Sequence, residues 1–339
     1  MGMSSESLRM MCFAAKNGTD FSKTVTIGRQ LCLIPKEELN KILSDYNPGY
    51  KDSHEMKELN KIYYKDSCQY AEPLFEYFGA KTTDSIDISN YENATIIQDM
   101  CAEIDDSLKN KYTCVWDGGA LEHIFRFPTA IKNCMELVKP SGHLILETPG
   151  NNWFGHGFYQ FSPELFFSLL DKQNGFAGTR IFMQNDMLNW YEAIPPKTLG
   201  MRTGTCCSVS RSMLMHIVSQ KISDTPDTIN AYQSDYQAAW TNNDPVDKNA
   251  IIGSNLRLLH KIRCCIPKFL LPAAWWLWNN LCYFTQISKS YTRDKYFENP
   301  NGGGGGDYEC ILEFCLIYPQ RKWKNLFFGG YYENKQYPI

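Results

Sequence analysis

The chain has 339 residues, 43% hydrophobic and 21% charged, which suits one substantial core plus an appended segment and excludes a disordered protein. A net charge of -3 with no dense lysine–arginine run leaves no footprint for a polyanion, so small molecules rather than nucleic acid are the expected partners. The first residues carry no basic region followed by a long apolar run, and the expected location is the cytoplasm.

The thirteen cysteines are scattered, with adjacent pairs at Cys206–Cys207 and Cys264–Cys265 and no Cys-x-x-Cys spacing. Small buried hydrophobes and incidental thiols are expected, not a zinc knuckle or a redox dithiol.

In chain order, Thr24 to Gln30 opens as a short β-rich run broken by Gly28. Residues 35–65 are polar, lysine-rich and partly helical in pattern, with a turn at Asn47-Pro48-Gly49, and read as a surface insertion. A helix is expected from Gln69 to Phe78, closed by Gly79. Strands then end on Asp87, after a run that alternates apolar and polar, and on Asp99 and Asp117.

After Asp117 come Gly118 and Gly119, where backbone rather than side chain is presented. The segment Thr129 to Lys139 sets Ala130, Ile131, Cys134, Leu137 and Val138 on one helical face and stops at Lys139-Pro140-Ser141-Gly142. A buried strand follows from His143 to Pro149. Ser162-Pro163-Glu164 opens a helix through Leu170, with Asn174-Gly175 as its terminator. Residues 179–183 and 212–220 supply two further strands.

This alternation predicts an α/β, doubly wound, mostly parallel sheet with helices on both faces, whose ligands bind at the carboxyl ends of the strands. Beyond residue 222 the pattern changes, so 1–222 is expected as one domain and 223–339 as a mainly helical C-terminal extension. The extension holds an aromatic-rich segment, five consecutive glycines (Gly302 to Gly306) that read as a flexible tether, and a strand-like run at 308–318.

The order of these motifs resembles the class I S-adenosylmethionine-dependent methyltransferases that act on small molecules. The residues that carry the likeness are Asp87, Asp99, Leu121-Glu122-His123-Ile124-Phe125, and the later Leu137 to Pro149 with its Lys-Pro-x-Gly turn, within about 24–221. The resemblance implies a Rossmann-like fold and S-adenosylmethionine as cofactor. It places Asp87 on the ribose hydroxyls, Asp99 near the adenine amino group, and Asp117 with Gly118 beside the methionyl part. The family's glycine-rich loop after the first strand is reduced to Gly28, and Arg29 is a candidate partner for the methionyl carboxylate.

Glu122-His123 resembles the end of a Glu-x-x-Glu-His metal motif, but Gly119 stands where the first ligand would be, so no metal is expected. The loop Asn151 to Glu164 implies a place over the methyl-transfer centre, with His156 as base or orienter and Tyr159 beside it. The expected reaction is methyl transfer to an oxygen or nitrogen of a small or carbohydrate-like acceptor. The alternative is a binding or scaffold protein that kept the fold and lost the cofactor.

A final expectation concerns 257–284, where three tryptophans follow Arg257, His260, Lys261 and Arg263. It reads either as a helical cap on the core or as peripheral membrane contact, and not as a transmembrane span.

Overall fold

A computed structural model of the chain describes residues 2–185, 190–195, 212–234, 236–237 and 240, and the backbone of a strand at 291–293. The paired cysteines at 206–207 and 264–265, the segment 257–284, the glycine run and the strand-like 308–318 lie outside the described residues. The described residues all fall within one compact unit, Met1–Gly302.

The strands are β1 (Gly2–Met3), β2 (Lys23–Ile27), β3 (Leu31–Cys32), β4 (Thr82–Asp87), β5 (Ile96–Ile97), β6 (Tyr112–Gly118), β7 (Val138–Pro149), β8 (Phe176–Asn185), β9 (Trp190–Ala193), β10 (Met213–Lys221) and β11 (Tyr291–Arg293). The helices are α1 (Ser5–Lys16), α2 (Lys36–Tyr46), α3 (His54–Tyr64), α4 (Glu72–Tyr77), α5 (Phe127–Leu137) and α6 (Pro163–Leu169).

Nine strands form the main sheet, in the order β11-β9-β8-β10-β7-β6-β2-β4-β5. From β5 to β7 every pairing is parallel; β10 is antiparallel to both β7 and β8, so only β10 and β9 run against the common direction. The parallel half therefore reads third, second, first, fourth, fifth in order of appearance. That is the doubly wound order whose switch point lies between the first and fourth strands, here β2 and β6.

Side chains alternate between two cores. On β6, β7 and β8, Val115, Leu144, Leu146, Ile181 and Met183 join α5 and α6 on one face. Cys114, Trp116, Ile145 and Phe182 pack on the other with residues of α1 to α4. Both faces are thus covered, as a parallel sheet requires.

One expectation needs correction. Residues 35–65 are not peripheral: Leu39, Ile42, Leu43, Tyr50, Leu59 and Tyr63 are buried in the second core, because α2 and α3 are amphipathic beneath their lysines. At residues 291–293, β11 adds a strand to the edge at β9. Among the described residues no helix is long and apolar enough to cross a membrane.

Candidate functional site

At the switch point Ile27 lies opposite Asp117, which brings the Gly28 turn beside Gly118. Gly28 has φ +68° and Gly119 φ +94°, left-handed conformations that glycine adopts without strain. A side chain on Gly118 would collide with the carboxamide of Gln30. Gln30 is buried; its Nε2 donates to the carbonyls of Ile27 (2.9 Å) and Gly28 (3.1 Å), while its Oε1 has no partner.

Asp117 is fully buried. Its Oδ1 accepts from the Ala120 N–H at 2.9 Å and its Oδ2 has no partner. Burial first, and the Glu122 carboxylate second, push its pKa well above the usual carboxylate range. Two orphaned acceptor oxygens, on Gln30 and Asp117, thus occupy the adjoining ends of β2 and β6, where a cationic group would satisfy them.

The ends of β4 and β5 are more open. Asp87 ends β4 half-buried, with Oδ1 accepting from the Ser89 N–H at 3.3 Å. It faces Ile97 of β5 across the ladder, and Ile88 and Ile97 expose apolar side chains there (68% and 55%). Asp99 is exposed just past β5 and accepts from the Cys101 N–H. Arg29 is not free for a carboxylate: its Nε donates to Glu72 Oε1 at 2.6 Å, its Nη1 to the Glu92 carbonyl at 3.0 Å, and its guanidinium lies 3.7 Å over the Tyr70 ring.

The remaining wall is built by the turn after β6 and the loop after β7. The loop is pinned to the turn because the Phe158 and Tyr159 N–H groups both donate to the Glu122 carbonyl (2.8 and 3.2 Å). At Gly157 an added Cβ would come within 2.9 Å of that same carbonyl. Tyr159 spends its hydroxyl on the Phe125 carbonyl at 2.6 Å, bracing the loop. Trp153 donates from its indole to the Met213 carbonyl at 3.0 Å and stands edge-on to His156, with ring centroids 5.0 Å apart.

This docking brings His156 to Glu122. Glu122 is 2% exposed, and its Oε1 lies 3.7 Å from His156 Nε2 and 4.0 Å from His123 Nε2. Burial raises the Glu122 carboxyl to about 7. His123 is pushed down, by burial first and by the neighbouring His156 second. Sequence spacing alone puts only two ligating groups here; the fold supplies the third from a distant loop. That overturns the ground on which no metal was expected.

Behind this wall lies a buried pair absent from the sequence reading. Glu147 of β7 accepts from Ser7 Oγ at 2.6 Å and pairs with His216 Nδ1 of β10 at 3.1 Å. Its one signal was a glutamate inside an otherwise apolar strand.

The sheet order defines a doubly wound α/β protein with a Rossmann-like sheet. No family model matches the chain, and no curated protein matches it. Solved structures do overlap it. A Listeria monocytogenes protein provisionally described as an S-adenosylmethionine dependent methyltransferase is 14% identical, with 64% of this chain and 98% of that one covered at a TM-score of 0.33.

Burkholderia thailandensis 1,6-didemethyltoxoflavin-N1-methyltransferase, solved with S-adenosylhomocysteine, is 8% identical over 65% of this chain and 79% of its own, TM-score 0.28. Haemonchus contortus phosphoethanolamine N-methyltransferase 1 is 10% identical over 70% and 48%, TM-score 0.26. Likenesses this distant assign no role to any residue.

Proposed function

We propose that the chain transfers a methyl group from S-adenosylmethionine to an oxygen or nitrogen of a small or carbohydrate-like acceptor. The observation that carries this reading is the pair of orphaned acceptors, Gln30 Oε1 and Asp117 Oδ2, at the switch point, with the half-buried Asp87 at one side and Glu122, His123 and His156 at the other. The residues present fit the cofactor. Asp87 would accept the ribose hydroxyls, Ile88 and Ile97 would face the adenine with Asp99 at its edge, and Gln30 with the Gly28 and Gly118 backbone would meet the methionyl ammonium.

When bound, the cofactor supplies a methyl carbon already activated by a positively charged sulfur. An acceptor atom would displace the sulfur, which would keep the electron pair, and Glu122, His123 and His156 would line the side toward which the acceptor's proton would leave. The chain's own task is alignment, exclusion of water and a destination for that proton.

The test is calorimetric titration of the full chain with S-adenosylhomocysteine. Binding is expected, and Asp87→Ala should weaken it about ten- to a hundredfold through loss of charge-assisted hydrogen bonds. Absence of heat at millimolar ligand would overturn the reading. It would favour the second one, a binding protein that has lost the cofactor, which the engagement of Arg29 by Glu72 and the packing of Gln30 on Gly118 support.

A further inference from the structure

We propose that Glu122, His123 and His156 form a binding site for a single divalent transition-metal ion with open coordination positions facing the crevice. One ligand atom from each residue lies within 4.8 Å of the other two. Ligands about 2.0–2.2 Å from a shared ion stand roughly 3.3–4.2 Å apart, so small rotations of the imidazoles close the remaining gap. The rings are free to make them, since both side chains are close to half exposed while the carboxylate is held fixed in the core.

The carboxylate is the more telling member. Its only side-chain donor among the described residues is Thr148 Oγ1, at 3.5 Å from Oε2. Both histidine nitrogens approach Oε1 at 3.7 and 4.0 Å, too far for hydrogen bonds and too convergent for a solvated surface group. A buried carboxylate so poorly paired is costly, and a cation between it and the two imidazoles removes that cost. Two nitrogen ligands and one oxygen favour zinc, cobalt, nickel or iron(II) over magnesium or calcium. Three protein ligands leave room for water or substrate.

Cation binding itself does not depend on the methyl-transfer reading. What does rest on that reading is the role: the open positions would take an oxygen of the acceptor, narrowing it to a hydroxyl- or carboxylate-bearing compound and making the attacking hydroxyl more acidic. His156 would then be a ligand, not a base.

Cobalt(II) titration of the chelator-stripped full chain, without cofactor, is the direct test. One cobalt per chain with a visible spectrum of nitrogen and oxygen ligation, free of the thiolate charge-transfer band that the cysteines would give, is the expected result. His156→Ala and Glu122→Gln should each lose that spectrum or weaken binding about a hundredfold, with the metal-free unfolding midpoint showing that each variant is folded. Should either variant fail to fold, His123→Ala, on an exposed ring, gives the same reading.

No binding at millimolar cobalt, a thiolate band alone, or a spectrum indifferent to these substitutions would overturn the site. Failure of the S-adenosylhomocysteine titration with an intact cobalt spectrum would remove the methyl-transfer role and leave the metal site standing.

Discussion

Lys221 closes β10 at 1% exposure, with Nζ donating to Asn110 Oδ1 at 2.7 Å and to the Met135 carbonyl at 2.9 Å. Burial lowers its pKa to about 8, against the partial opposition of Asp224 and Glu136. The unfolded chain keeps the proton up to about pH 10.4, so between pH 8 and 10.4 it binds more protons than the folded one and stability rises with pH. Below pH 8 the charged amine holds stability down by about 3 kcal/mol. Urea unfolding should therefore show the wild type gaining on Lys221→Met by about 2–3 kcal/mol from pH 7.5 to pH 10; parallel profiles would refute the assignment. At this scale the sequence is a partial guide. Asp87 and Asp117 are legible because a strand that stops on an acid marks a rim, but the contact of His156 with Glu122 is not. It depends on two loop N–H groups finding the Glu122 carbonyl, which no spacing encodes.

Among the elements, β10 matches its expected run to within a residue and β6 ends one residue past Asp117, because both are short runs rich in apolar and β-branched residues. The helix opened by Ser162 ends sooner than expected, at Leu169, and Asn174-Gly175 instead terminates a separate short turn that feeds β8. α1 carries its own start signal in the Ser4–Ser7 capping box, yet its seat against the sheet is set by Ser7 reaching Glu147, a long-range pairing that local pattern does not reveal. The β8 entry gives an element-scale prediction. Gly175 (φ +86°) and Gly178 (φ +67°) are both left-handed, but an added Cβ at Gly175 would come within 2.6 Å of the Ser223 carbonyl, while at Gly178 nothing lies within 4 Å. Gly178→Ala should cost about 1–2 kcal/mol from conformation alone, and Gly175→Ala about 1–3 kcal/mol more from the backbone collision. Equal losses in denaturant unfolding would show that the β8–β10 junction yields freely.

For the molecule as a whole, the doubly wound class follows from alternating strand and helix patterns, whereas the depth of 35–65 does not, because lysines on the outer faces of α2 and α3 mask apolar positions at helical spacing. The place of β10 in the sheet has a further consequence, for biosynthesis. β7 and β8 never touch through hydrogen bonds; the strand between them is made after both. A growing chain can therefore assemble its parallel half, and can pair β8 with β9, but these remain two pieces until Lys221 has cleared the ribosome. Nascent chains arrested with Ser212 as the last emerged residue should be cut readily by protease within 176–185, and chains arrested well beyond residue 221 should resist. Resistance already in the shorter chains would mean that β8 finds β7 unaided. With the ordinary pairing, synthesis acts as a latch, because the His216 partner of Glu147 arrives on this same strand, and the wall behind the crevice is completed only when β10 has joined β7 and β8.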